Sequence, residues 1–269
     1  MTLPPVAAGP RAPTAAATDG PAAPDPRRRP TAWGYATWIA VATTLAVTGC
    51  GEQAPPSATL FPLEPGHVWT YHQQIETSAG RSDGSWLVMR TLPEEDYAGA
   101  TAYRRHSDDG VDYWLRRDAT GIYRVATKHD LQEEPEKDTV PRYVLKEPLA
   151  VGTEWQSATV PYLLERRQGF PLEVRHEGKA VPMRYAIEAT DEVVTVPAGR
   201  FEHCLRVQGQ AVVRLYADGV VGWRDMPLTT TEWYCPGPGL VKLERDEPAN
   251  SVFLSGGRLE LELHQWERP

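Results

Sequence analysis

From Leu60 onward the chain breaks into short runs in which apolar and polar residues alternate, separated by Gly, Pro, Asp and Asn. The clearest run is Arg258–His264, where Leu259, Leu261 and Leu263 are divided by polar residues. A period of two buries one face of a strand and wets the other. Met183, Tyr185, Ile187 and Ala189 alternate in the same way, as do Val111, Tyr113 and Leu115. The runs 121–125, 193–196, 201–207, 211–216, 229–234 and 239–243 complete the predicted strands. Asp109-Gly110, Asp118–Gly121, Pro197-Ala-Gly199, Asp218-Gly219 and Gly256-Gly257 supply turns between them. No window carries the i, i+3, i+4, i+7 spacing of a long amphipathic helix, and one helical turn is expected over Tyr162–Gln168. The pattern predicts a single, mainly-β antiparallel domain over residues 60–269, a curved sheet or half-barrel or else a sandwich, with few short helices. About 220 residues can bury about 70% of the surface their unfolded chain exposes, enough for one sizeable core.

Two further features bear on architecture. Pro62-Leu63-x-x-Gly66-x-x-Trp69 recurs as Pro148-Leu149-x-x-Gly152-x-x-Trp155, which fits either a duplicated lead-in to a strand or two uses of one turn. The dense run Lys128–Asp138 has one apolar residue and predicts a solvated loop; it lacks the central glycine of a calcium loop.

The first fifty residues follow a different rule. Residues 1–30, mostly Pro, Ala, Thr and Gly, have too little apolar surface to offset ordering entropy and are expected to be disordered. Arg27, Arg28 and Arg29 then precede the uncharged apolar run Ala32–Val47, which is short of the about 20 residues a membrane-spanning helix needs. Basic residues, an apolar run and small residues in that order predict a signal segment over 31–49. Val47-Thr48-Gly49-Cys50 resembles the lipobox of bacterial lipoproteins. That resemblance implies cleavage after Gly49, diacylglycerol on Cys50 and a tether over 50–59; Gly51 in place of Asp implies the outer membrane of the cell envelope.

Charge agrees with anchoring by lipid. The formal net charge is −8; four arginines and two aspartates precede Cys50, which leaves −10 on residues 50–269. So acidic a chain is expected to bind no nucleic acid, which needs a basic face, nor anionic lipid through charge. Its partners are expected to be the membrane, through the anchor, and an envelope lipid, glycan or protein. Apart from Cys50 the cysteines are Cys204 and Cys235. In an oxidising compartment they can pair on adjacent strands, with Cα atoms about 5–6 Å apart, or remain two buried thiols.

Catalytic signals are scarce, and a non-enzymatic protein without metal or cofactor is expected. The histidines at 67, 72, 106, 129, 176, 203 and 264 form no His-x-His or His-Glu-x-x-His pattern. His203 and Cys204 are adjacent, but neighbours on a strand point to opposite faces. Neither a Gly-x-Ser-x-Gly elbow nor a phosphate-binding Gly-rich loop occurs, and the prolines of Cys235-Pro-Gly-Pro-Gly239 lack amide donors. Of the seven tryptophans after Cys50, Trp69, Trp114, Trp155 and Trp233 are the candidate binding residues for a groove taking lipid or sugar, with strand packing as the alternative.

Val196-Pro-Ala-Gly-Arg-Phe201, Cys204–Val207, Glu232–Val241 and the opening Phe61-Pro-Leu-x-x-Gly66-x-x-Trp69-x-Tyr71 are similar to motifs of a broad group of uncharacterised bacterial envelope lipoproteins, TapB-like proteins among them. The resemblance implies a curved sheet related to the LolA/LolB-like half-barrels, and it transfers no functional residue.

Overall fold

The structure is a computed structural model and describes residues 57–77, 80–166, 180–218, 222–249 and 254–269. The signal segment, Gly49 and Cys50 lie outside the described residues. A four-residue helix, α1 (Ser57–Leu60), leads into β1 (Val68–Thr77), β2 (Gly80–Arg81), β3 (Ser85–Tyr97), β4 (Ala100–Ser107), β5 (Val111–Asp118), β6 (Gly121–His129) and β7 (Glu136–Lys146). There follow β8 (Glu154–Thr159), β9 (Glu165–Arg166), β10 (Val181–Val196), β11 (Gly199–Asp218), β12 (Gly222–Cys235), β13 (Gly239–Glu247), β14 (Leu254–Ser255) and β15 (Gly257–Glu267). Apart from β9 and β14, which pair with each other, these strands form one antiparallel sheet.

Its order is a meander closed on itself. Strands β3 to β7 follow one another beside β1, strands β10 to β13 follow one another beside β8, and β15 joins β13 to β1. The β1–β15 ladder runs from Val68↔Glu267 to Thr77↔Gly257. The remaining gap lies between β7 and β8, spanned by a hydrogen bond from Ser157 Oγ to the Tyr143 carbonyl at 3.3 Å. The result is a nearly closed barrel, with the expected antiparallel β architecture resolved in favour of a single curved sheet.

The alternation predicted for the strands sets their inner faces. On β11, Leu205, Val207, Gly209, Ala211, Val213 and Leu215 are all buried. Opposite them on β12 stand Tyr234, Glu232, Thr230, Leu228 and Met226, so polar side chains share the inner face with apolar ones. On the outer face, Lys242 bridges Glu244, Glu260 and Glu262, and Arg206 bridges Glu188 and Glu192.

The repeated Gly and Trp motif makes the same turn twice. Gly66 and Gly152 have φ of 92° and 90°, a conformation open to glycine at little steric cost. Gly66 N–H donates to the Thr91 carbonyl while Thr91 N–H donates to that of His67, both at 3.0 Å. Gly152 N–H likewise donates to Ile187 and Ile187 N–H to Thr153, at 2.9 and 3.0 Å. Each turn thus lays a new strand against a partner, β1 against β3 and β8 against β10, and buries its tryptophan.

The chain before β1 plugs one end of this barrel. Leu60, Phe61 and Leu63 are buried, and Gly237 N–H on the β12–β13 turn donates to the Thr59 carbonyl. Arg105 holds the plug in place. Its guanidinium lies between the rings of Phe61 and Trp69, 4.3 and 4.2 Å from their centroids, and donates to the Pro62 carbonyl at 2.6 Å. The last three residues of the predicted tether, 57–59, are thus docked on the barrel.

Four expectations need correction. Tyr162–Arg166 is not helical: the Tyr162, Leu163 and Leu164 N–H groups donate to buried Glu247 at 3.1, 2.8 and 3.0 Å, so they are not free for helical carbonyls. Gln168 lies outside the described residues. The expected solvated loop over Lys128–Asp138 is shorter than predicted and spans 130–135, since β6 runs to His129 and β7 starts at Glu136. The runs 183–189 and 193–196 merge into β10, where bulges carry the chain through the polar positions between them, and 201–207 and 211–216 merge into β11, where Gln208, Gly209 and Gln210 stay in regular register with both neighbouring strands. Finally, α1 is the only helix among the described residues, so the helices that cover a LolA-type sheet have no counterpart in them.

Candidate functional site

The barrel encloses a cavity of two adjoining lobes, of about 340 and 520 Å³. Tyr113, Arg124, Arg142, Tyr185, Glu232 and Leu243 line both. Volumes of this order suit a small-molecule ligand. The first lobe reaches toward the plug and is the more apolar, with Phe61, Met89, Leu115, Val144 and Leu240 in its wall. The second lies toward the opposite end and is walled by Thr127, His129, Thr159, Tyr162, Thr230 and Arg245. Val160 and Tyr162 in that wall are exposed and Arg142 and Val144 half-buried, so the cavity meets solvent beside the β7–β8 gap.

Most charged groups in the wall have partners. Arg245 donates to Glu247 at 2.6 Å, to Thr159 Oγ1 at 3.0 Å and to the Val160 carbonyl at 2.8 Å. Arg124 forms a two-pronged pair with Asp138 at 2.8 and 2.6 Å. Asp138 was expected in a solvated loop; it points instead to β6. Glu232 accepts from Tyr234 Oη at 2.5 Å and Thr230 Oγ1 at 3.1 Å. Burial nevertheless pushes its carboxyl above the usual range, against the pull of those two bonds and of Arg142. Burial also raises the Tyr113 and Tyr185 phenols, which therefore stay protonated at neutral pH.

Arg142 is different. It faces Arg124 directly across the β6–β7 ladder and, among the described residues, donates no hydrogen bond and forms no ion pair. Burial and then the neighbouring Arg124 lower its pKa, although a guanidinium remains a cation at any physiological pH.

The sequence-predicted binding tryptophans do not converge on this cavity. Trp69 is buried beneath the plug and donates to the Pro238 carbonyl at 2.7 Å. Trp155 stacks on Tyr185, with centroids 5.6 Å apart, and so supports the cavity wall from behind. Trp114 packs in a separate cluster with Ala102, Val125 and Ala126 and donates to Glu95 at 2.5 Å, while Trp233 donates to Glu192 at 2.8 Å. All four indoles are spent on packing, and those of Trp69, Trp114 and Trp233 also on internal hydrogen bonds.

The cysteines do pair. Cys204 and Cys235 form a disulfide between β11 and β12, beside the Leu205↔Tyr234 pair. Their Cα atoms are 4.2 Å apart rather than the expected 5–6 Å, because directly opposed residues of an antiparallel ladder approach to about 4.5 Å. His203 has a positive φ of 56° and pairs with Asp191 on the surface, so it is not a base for Cys204. Among the described residues no group of three His, Cys, Asp or Glu side chains is placed to hold a metal ion.

Sequence reasoning missed the arginines and Glu232. A signal was present: Arg245 shares parity with Leu243, and Glu232 with Tyr234 and Leu228, so each is a charge on the inward side of an alternating strand.

Fold and site together define a single-sheet antiparallel barrel with a ligand-sized, arginine- and tyrosine-lined interior. No protein-family model matches the chain, and no curated protein does. Two solved structures align with much of it. One, from Parabacteroides distasonis and described as a lipoprotein, has 16% identity and a TM-score of 0.36 over 78% of this chain and 98% of its own. The other, described as an exported protein with a YmcC-like fold from Bacteroides fragilis, has 16% identity and a TM-score of 0.34 over 77% and 98%. Similarity at this level brings no function with it.

Proposed function

We propose that the protein is a bacterial cell-envelope lipoprotein, anchored through Cys50 to the outer membrane, whose barrel is a non-catalytic receptor for a small envelope ligand. The observation that carries the receptor reading is the cavity, with apolar residues at one end and cations in its wall. The anchoring reading rests on the lipobox-like Val47–Cys50 and on the outer face. Ion pairs such as those of Lys242 and Arg206 are the reverse of the apolar band that a lipid-facing barrel wall requires. The attachment then falls to acyl chains on Cys50.

Two measurements test this reading. Intact mass and membrane fractionation of the native protein and of a Cys50→Ala variant test the anchor: expected is a wild type cut to Cys50, heavier by an acylated glycerol and lost from membranes in the variant. Two soluble, unmodified forms would refute it. Native mass spectrometry of the Cys50→Ala chain tests the receptor: a copurifying small molecule released on unfolding is expected, and a bare chain that also ignores added amphiphiles would end that reading.

A second reading, a subunit of an envelope assembly, draws on the gap between β7 and β8. Those two edges do not pair with each other, and an added strand could pair with them. Crosslinking from a cysteine placed at exposed Val140 on β7 tests it; recovery of one defined protein favours this reading, and recovery of bulk envelope proteins counts against it.

A further inference from the structure

Four arginines stand in or against the cavity wall, and three have their guanidinium donors engaged. Arg105 has the Pro62 carbonyl and two aromatic faces, Arg245 has Glu247, and Arg124 has Asp138 on both prongs. Arg142 stands opposite Arg124 with no such partner among the described residues. Like charges directly opposed on a ladder destabilise it, and Asp138 and Glu232 pull on Arg142 only at a distance, with no hydrogen bond to it among the described residues. Glu232 lines the same lobes, but its oxygens are engaged by Thr230 and Tyr234. Folding is thus made less favourable by a guanidinium whose donors face the cavity. The planar fork of arginine suits carboxylate and phosphate, which it can grip with two parallel hydrogen bonds.

The cavity is polarised about this residue. Arg142 lines both lobes, the phenols of Tyr113 and Tyr185 stand near it as hydrogen-bond donors, and the apolar wall of Phe61, Met89, Leu115 and Leu240 lies on the plug side. We propose that Arg142 receives the anionic head group, carboxylate or phosphate, of an amphiphile whose apolar part lies in the lobe closed by Phe61. The inference rests on the reading of the cavity as a ligand site and narrows it to one chemical class.

The test uses the chain carrying Cys50→Ala, so that neither anchor lipid nor detergent competes, and titrates it calorimetrically with dodecanoate, dodecyl phosphate and uncharged dodecanol. One equivalent of at least one anion is expected to bind at least tenfold more tightly than dodecanol, and the preferred anion separates a fatty-acid-like from a phospholipid-like source. Arg142→Gln is expected to lose that tenfold advantage while its thermal midpoint stays at or above that of the wild type, since a like-charge pair has been removed. Arg142→Lys, which keeps charge without the fork, is expected to fall between them, and Arg184→Gln on the outer face to bind as the wild type does. Equal binding of dodecanol and both anions, or an unchanged affinity in Arg142→Gln, would overturn the head-group assignment and leave the cavity reading intact. Failure of all three probes in a chain that also carries no copurified molecule would overturn both.

Discussion

Removing the Cys204–Cys235 bond gives the sharpest test of how this barrel is held together. The bond joins residues 31 apart in sequence and closes the open mouth of the β11–β12 hairpin, whose ladder runs on to Asp218↔Gly222 at the far end. Both cysteines are fully buried. In the chain-entropy account, a loop of that length restricts the unfolded ensemble by about 3.7 kcal/mol at 25 °C. For a domain of this size, about 2–4 °C of thermal midpoint accompanies each kcal/mol, so a Cys204→Ala/Cys235→Ala variant is expected to melt about 7–15 °C lower. Because the effect acts on the unfolded chain, that chain should also expand, and the denaturant dependence of its unfolding should steepen. Burial further predicts that reductant leaves the bond intact until the barrel opens. The assay is urea unfolding followed by tryptophan fluorescence on oxidised wild type, reduced wild type and the double variant. Reduced wild type and double variant should unfold at similar, lowered midpoints. A double variant that unfolds where the oxidised wild type does, with an unchanged slope, would refute the argument.

Three further outcomes follow from the interior. Glu247→Gln leaves Arg245 buried without its carboxylate and is expected to cost about 3–5 kcal/mol in urea unfolding, with faster amide exchange at Tyr162, Leu163 and Leu164; a loss under 1 kcal/mol would show that the clamp does not matter. Gly209→Ala places a Cβ 2.8 Å from Tyr185 Cε1 and 2.9 Å from Thr230 Cγ2, and the displaced ring is expected to cost about 1–3 kcal/mol of stability. Burial raises Glu232 above 4.5, so its contribution to stability is complete below that pH and is lost as pH rises through the raised folded value. The unfolding free energy of wild type should therefore fall relative to Glu232→Gln between pH 4 and pH 7, and a constant difference would contradict the shift.

Some of this protein was determined by local sequence. The leucines of β15, the alternation along Met183–Ala189 and the turns at Gly110, Gly121 and Gly199 are near-neighbour effects, since one face of a strand must be buried and a tight turn needs a residue tolerant of positive φ. The repeated lead-in at Gly66 and Gly152 belongs here too, whereas sequence left Cys204 and Cys235 either paired or free and the β11–β12 register decided it. Strands β3, β4 and β7 and the short β2, β9 and β14 were not anticipated, and β1 and β8 only through their lead-in motif. In β7 and β8 the inward positions include Arg142, Ser157 and Thr159, which look like solvated residues when only polarity is read. Only the tertiary structure decided that these positions face inward. Closure of β15 onto β1 depends on register and twist summed around the barrel, which no window of sequence contains. That closure makes an interior out of positions scattered from Arg105 to Glu247. Arg245 finds its carboxylate two residues away on the same strand and Arg124 finds its own on the next strand, but closure decides that both pairs border one cavity. The β6–β7 register sets Arg142 against Arg124, and closure turns that charge, unremarkable in sequence, toward a cavity.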